Sequence, residues 1–364
     1  MKIAFDNPRA PCQSKSANAQ KGICLKLALI GFGTVAQGLA KLLVEKKADL
    51  AQRYGARFHV VAIVTQRRGS LYDPDGLDLN AALSAARSGS LEKCAAHAKG
   101  WDAHKVITES NADVILENTP TNLQDAEPAM THVKTALASG KHVITANKGP
   151  IALAHRELTA LAKARDAHLL FEGTVLSGTP ILSLAKYGLG GCRITELAGI
   201  LNGTTNYILT QMESGMGYAD ALKQAQGLGY AEADPSADVE GFDALAKIVI
   251  LANVLMGADL KVADVEREGI TRISTDDIKS AKAQGKRWKL IGRAKLDSDA
   301  VKASVKPTLV SLDDPLASVG AAMNALTFGT DVLKSVTITG AGAGGPQTGF
   351  ALLSDLLELH RRLA

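Results

Sequence analysis

The stretch Leu25 to Leu43, LKLALIGFGTVAQGLAKLL, admits few folds. Its first half places aliphatics at Leu25, Leu27, Leu29 and Ile30, an alternating and then continuous pattern that reads as a buried strand. After Gly31 the apolar spacing changes to Val35, Leu39, Leu42 and Leu43, the stripe of a helix. Gly31-Phe32-Gly33-Thr34-Val35-Ala36, between the two, fits G-x-G-x-x-G/A at the place where that pattern has a mechanism. The first glycine permits the tight turn, and the second lets the backbone approach a pyrophosphate. The helix start offers free N–H groups and the positive end of its dipole. A bare strand-to-helix turn would need only the apolar pattern, so the glycines favour a dinucleotide.

The segments FHVVAIVTQ, ADVILENTP and GKHVITANKGP supply further apolar strands separated by helical patterns, one of them from Glu127 to Ser139. This rhythm predicts an α/β fold: a Rossmann-type doubly wound parallel sheet, covered on both faces, over residues 23–150. From about Leu153 the rhythm changes. A helix running to His168 leads into mixed strands and helices, which predicts a second, α+β domain over residues 151–344. The last amphipathic helix, Phe350 to Leu363 within residues 345–364, is expected to return to the first domain.

The first 22 residues, rich in Ser, Ala and Lys, read as a disordered tail, with an organellar transit peptide as a minor alternative. The chain has 41 Lys+Arg against 37 Asp+Glu, and Lys2, Arg9, Lys15 and Lys21 against Asp6 place most of the excess in that tail. A nearly neutral body argues against nucleic acid or an anionic membrane as partner. No apolar run reaches the roughly 18 residues that cross a bilayer. Cys12, Cys24, Cys94 and Cys192 are scattered without metal-ligand spacing, so free thiols in the cytoplasm are expected.

Chemistry is expected at the carboxyl ends of the strands, where doubly wound sheets hold their ligands. The second strand ends in Thr65-Gln66-Arg67-Arg68 in place of the acid that would bind the 2′-hydroxyl of NAD. Arg67 suits a 2′-phosphate and favours NADP, with NAD use still open; a solvated basic loop gives the same sequence. Thr119 follows the third strand, and Lys148, stopped by Gly149-Pro150, ends the fourth and can face the crevice.

A second constellation lies in GYAEADPSADVEGFDALAK, Gly229 to Lys247. Asp238 and Glu240 precede a helix whose apolar run follows, and Asp243 and Lys247 sit four apart on one face. An exposed pair of this kind contributes only about 0.3–0.5 kcal/mol. Partial burial beside the apolar run makes the charges costlier and leaves two readings open: a structural network, or a proton donor at a site for a zwitterion.

With the glycine turn, TANKGP, FEGTVLSGTPIL, GILNGTTNYILTQM, GYAEADPSADVEGFDALAK and GAGAGG in this order, the chain from Cys24 onward resembles homoserine dehydrogenase. The resemblance implies reduction of L-aspartate 4-semialdehyde to L-homoserine with NADPH or NADH, on the way to threonine, methionine and isoleucine. It implies that Lys247 donates the proton, with Lys148 and Asp243 beside it, and that Glu232, Asp243 and Asp238 hold the substrate. Cofactor contacts are implied at Gly31, Phe32, Gly33, Thr34, Val35, Thr119, Lys148, Gly229 and Gly344. A sodium ion on the backbone carbonyls of Glu172, Val175, Ser177 and Thr179 is implied, although Gly173 and Leu176 depart from the usual pattern there. A homodimer through the second domain is implied too. A regulatory extension after the last helix, and threonine feedback through such a domain, are not expected. The rival readings are another Rossmann-type amino-acid dehydrogenase and a non-catalytic NADP-sensing protein. Cys192 has no nearby histidine, which argues against thioester chemistry.

Overall fold

The computed structural model describes residues 23–364; the expected tail and Cys12 lie outside the described residues. Seven strands come first: β1 (Cys24–Ile30), β2 (Arg57–Val64), β3 (Ser70–Tyr72), β4 (Ala98–Lys99), β5 (Val114–Glu117), β6 (His142–Thr145) and β7 (Leu169–Leu170). They form one sheet in the order β4-β3-β2-β1-β5-β6-β7. The five strands from β2 to β7 are parallel, as the sequence predicts. The short β3 and β4, which the apolar rhythm does not announce, are antiparallel at one edge. The cause is local: Thr65 and Gly69 close a tight turn, with Thr65 N–H on the Gly69 carbonyl and the Thr65 hydroxyl on the same oxygen, and the chain doubles back onto β2.

Strand β1 shows why its residues are aliphatic throughout. Leu27 and Leu29 pack in a cluster with Leu39, Leu43, Leu352, Leu356 and Leu359. Ala28 and Ile30 pack in another with Val61, Val133, Leu137, Val143 and Leu158. Successive side chains point to opposite faces, and each face is covered by helices. Register aligns Ile30 with Glu117 and Glu117 with Thr145, so the chain leaves β1, β5 and β6 side by side.

Two helix boundaries differ from expectation. The helix after β6 runs from Lys148 to Ala164, beginning five residues before Leu153, with non-helical backbone at Ala154. Asn147 caps it, accepting the Gly149 N–H at 3.0 Å, and Pro150 falls in the first turn, where its missing donor costs nothing. Lys148 therefore starts a helix instead of trailing from a strand. The terminal helix spans Gly345–Leu363, with Pro346 in its first turn. It packs on the helix Thr34–Glu45 at glycines: a methyl on Gly349 would lie 2.5 Å from the Leu39 nitrogen, and one on Gly38 would lie 2.4 Å from the Gly345 carbonyl oxygen.

The second sheet holds β8 (Ile194–Ile200), β9 (Glu266–Arg267), β10 (Lys286–Asp297), β11 (Ala300–Ser311), β12 (Met323–Thr330) and β13 (Lys334–Ala341), in the order β13-β12-β8-β10-β11-β9. It is antiparallel except where β9 joins β11. The helices Gly203–Glu213 and Phe242–Leu255 cover one face, burying Ile208, Leu209, Leu245, Ile248 and Val249 against Leu197, Val305 and Phe328. Among the described residues no helix is long and apolar enough to cross a membrane.

Candidate active site

The glycine turn forms as its sequence demands. Gly31 has φ +89°, and a methyl there would meet the Asn118 carbonyl oxygen at 2.6 Å, so turn and neighbouring strand end touch through backbone alone. Gly33 is the N-cap of the helix Thr34–Glu45 and brings no side-chain acceptor to it; a methyl at Gly33 would meet open space. The first N–H groups of that helix are thus left for an external anion. The Phe32 side chain is buried, and its carbonyl accepts from Gln37 Nε2 at 2.9 Å and from an Arg68 guanidinium nitrogen at 3.2 Å. Arg67 points to solvent.

The ends of β5 and β6 are stitched together. The Thr145 hydroxyl donates to the Glu117 carbonyl at 2.8 Å, and Asn147 Nδ2 donates to the Thr119 and Pro120 carbonyls at 3.0 and 3.3 Å. Glu117 is fully buried; its Oε1 accepts the Thr119 N–H at 3.1 Å and the Thr119 hydroxyl. This fixes the Thr119 loop above the sheet and sets the Lys148 helix beside it.

Facing these ends is the acidic constellation. The Lys247 side chain is only 8% exposed; its Nζ donates to the Leu201 carbonyl at 2.7 Å and to Asp243 Oδ2 at 2.7 Å. An ammonium carries three N–H groups, so two are committed to the protein. Lys148 Nζ lies 3.5 Å from Asp243 Oδ1. Burial alone would raise the Asp243 carboxyl, but the Lys247 and Lys148 ammonium groups overcome it and hold the group well below the usual carboxylate range. Asp238 goes the other way: burial, then the neighbouring Asp243, push it up against the opposing bond from Asn202. Asn202 Nδ2 donates to Asp238 at 2.6 Å and to Asp243 at 3.0 Å.

These groups surround one cavity of about 830 Å³ that lies between the two sheets' units. Val35, Thr119, Lys148, Gly229, Asp238, Asp243, Lys247 and Gly344 line it, as does Ser177; Gly31, Phe32, Gly33 and Thr34 form the turn that leads into Val35. Glu232 is exposed and does not line the cavity, nor does Arg67. Glu172 turns its carboxylate away to cap a short helix, accepting the Leu182 and Ser183 N–H groups at 2.8 Å each, while its own N–H donates to buried Asp355 at 2.9 Å. Val175 is buried, and the Thr179 hydroxyl donates to the Ala341 carbonyl at 3.2 Å. Among the described residues no three His, Cys, Asp or Glu side chains gather as a metal cluster. Sequence reasoning passed over Asn118, Asn202 and Thr204, which also line the cavity. For Asn202 a local signal existed, since Asn-Gly-Thr-Thr before an apolar run is a helix N-cap pattern.

A family model described as homoserine dehydrogenase matches residues 180–357, and one described as homoserine dehydrogenase, NAD binding domain, matches residues 31–172. The chain is 48% identical over 341 residues to an NAD(+)-dependent homoserine dehydrogenase of Pseudomonas canavaninivorans, covering 92% of this chain and 96% of the relative. It is 42% identical over 338 residues to a homoserine dehydrogenase of Methanocaldococcus jannaschii, covering 92% and 98%. The solved structure of a hyperthermophilic archaeal homoserine dehydrogenase in complex with NADPH superposes with a TM-score of 0.79 at 30% identity, covering 93% of this chain and 98% of that one.

Proposed function

This chain belongs to the homoserine dehydrogenase family, whose members are NAD(P)-dependent oxidoreductases, and from that premise we propose that it reduces L-aspartate 4-semialdehyde to L-homoserine with Lys247 as proton donor. The observation that carries this reading is the Lys247 amine, buried, held by Leu201 and Asp243, and on the cavity wall.

The residues fit a dinucleotide: open space above Gly33, an uncapped helix start and the Thr119 loop are what a pyrophosphate and a nicotinamide require. When bound, the nicotinamide supplies the hydride. Addition of hydride to the aldehyde carbon leaves negative charge on the oxygen, and the remaining N–H of Lys247 meets it and transfers its proton to give the alcohol. Lys148 adds a second positive charge beside the same oxygen, and Asp243 keeps both amines in place. Asp238, with Asp243, receives the substrate ammonium. Glu232, exposed on the segment that leads to Asp238, is proposed as a further acid for the substrate ammonium.

We assign residues 23–150 with the terminal helix to the cofactor unit and residues 151–344 to the substrate and dimerisation unit. NADP is proposed as the preferred form with NAD also accepted, since Arg67 is exposed at the end of β2 and no acid stands there. A sodium ion on the carbonyls of Glu172, Val175, Ser177 and Thr179 is proposed on the tight turn at Leu176 and Ser177, where φ is 48° and 54°. A homodimer is proposed through the second sheet, whose strands and turns expose Leu309, Leu312, Val332 and Leu333. The reaction is read as a step towards threonine, methionine and isoleucine, in a compartment that suits the free thiols Cys24, Cys94 and Cys192.

Lys247→Ala tests the central claim. NADPH binding, followed by cofactor fluorescence, should persist, while aldehyde reduction falls by about 10²–10⁴-fold, the usual contribution of a positioned acid. Turnover equal to the parent enzyme would reject the assignment.

A further inference from the structure

We infer that Asn202 is a positioning residue for this reaction: its side-chain amide clamps Asp238 and Asp243 together and, through Asp243, sets where the Lys247 amine points. The inference rests on the functional reading of the same cavity. Its basis is geometric. Asn202 is 4% exposed, and its Oδ1 is occupied by the Thr205 N–H at 2.9 Å and the Thr205 hydroxyl at 3.0 Å. With the oxygen committed to the helix start, the amide orientation is decided and Nδ2 must face the acids. The NH₂ has two hydrogens, and each goes to a different carboxylate, 2.6 Å to Asp238 and 3.0 Å to Asp243.

Two carboxylates within reach of a single nitrogen repel each other, and an unbridged pair would swing apart or share a proton. The charges facing this pair are Lys247, on the same helix Phe242–Leu255 as Asp243, and Lys148 on the helix Lys148–Ala164. Asp243 Oδ2 accepts from Lys247 and Asn202 together, while Oδ1 faces Lys148. If Asn202 did not hold that carboxylate, Asp243 would be free to rotate towards Lys148, and Lys247 would lose the partner that fixes its amine. Asp238 lies 36 residues from Asn202 and Asp243 lies 41 away, so the clamp ties the start of one helix to two segments that local structure does not hold there.

A plain helix cap is the competing role, and the two are separable. Asn202→Asp keeps an excellent cap acceptor but loses both donors. Asn202→Ser keeps a cap without adding charge and is too short to bridge the acids. Each should retain NADPH binding; Asn202→Ser should keep a thermal midpoint close to the parent, while Asn202→Asp, which sets a third carboxylate beside Asp238 and Asp243, should lower it. In both, kcat should fall roughly ten- to hundredfold, the scale of one lost hydrogen bond to a charged group. The acid limb of kcat/KM should move to higher pH, because Asp238 loses one of the groups that oppose its upward shift, Thr204 and Lys247 remaining; the move should be larger for the aspartate variant, which adds a negative charge. Parent-like kcat and pH profiles in both variants would overturn the clamp and leave Asn202 a cap. Absence of semialdehyde reduction in the parent enzyme itself would sink the functional reading, and this inference with it.

Discussion

Gly349→Ala sets two effects of known sign against each other. Gly349 lies inside the terminal helix, where alanine is intrinsically better by about 1 kcal/mol. In isolation the change should stabilise. The contact decides otherwise: the added methyl would sit 2.5 Å from the Leu39 nitrogen and 2.7 Å from the Gly38 carbonyl carbon, both main-chain atoms of the helix Thr34–Glu45. A flexible side chain could rotate away; a helical backbone cannot, so the cost belongs at the upper end of the roughly 1–3 kcal/mol that overpacking incurs. The net loss should be about 2 kcal/mol, a fall in the midpoint of the affected transition of roughly 4–8 °C for a domain of this size. Because the helix moved is the one that begins at the glycine turn, the KM for NADPH should rise as well. Thermal unfolding by circular dichroism checks the first and initial-rate kinetics the second. Gly227→Ala serves as control: it ends the helix Tyr218–Gly227 with open space around it, so alanine there should be neutral or stabilising by up to about 1 kcal/mol. If Gly349→Ala behaved like the control, the close glycine packing of the two helices would be refuted.

Arg67→Ala should lower kcat/KM for NADPH about tenfold while leaving NADH unchanged, as read from cofactor oxidation with each; an unaltered ratio removes Arg67 from cofactor choice. Lys289 is fully buried, donates to Asn206 Oδ1 at 3.0 Å and the Val319 carbonyl at 2.8 Å, and is pushed down to about 8 by burial. Between that value and the ordinary lysine range the unfolded chain holds a proton that the folded one lacks, so unfolding takes up a proton and stability rises with pH. Relative to Lys289→Met, the parent should therefore gain stability from pH 8 to pH 10, by about 2 kcal/mol. A stability difference that is flat over this range, in urea titrations, would show that Lys289 holds its proton.

What the sequence made legible was local. The Gly31 turn could be read because strand, turn and helix are contiguous, and the apolar residues of β1 state their own burial on both faces. The Asp243–Lys247 pair was legible for the same reason, being one helical turn apart. The start of the helix at Lys148 was hidden by Gly149-Pro150, which reads as a stop although proline is equally at home in a first turn. The edge strand β3 was hidden by its three-residue length, since its pairing comes from a turn and not from an alternating pattern. The partners that give the lysine its setting could not be read at all. The Leu201 carbonyl is 46 residues from Lys247, and Lys148 reaches Asp243 from the end of the other sheet. A carbonyl oxygen has no sequence signature, and an asparagine before a helix signals a cap whether or not its other end holds two acids. The proposed acid catalyst is thus made from a legible residue in an illegible environment: the i,i+4 spacing supplies its first anion, the chain just after β8 supplies the carbonyl and the amide, and the end of the other sheet supplies the second amine.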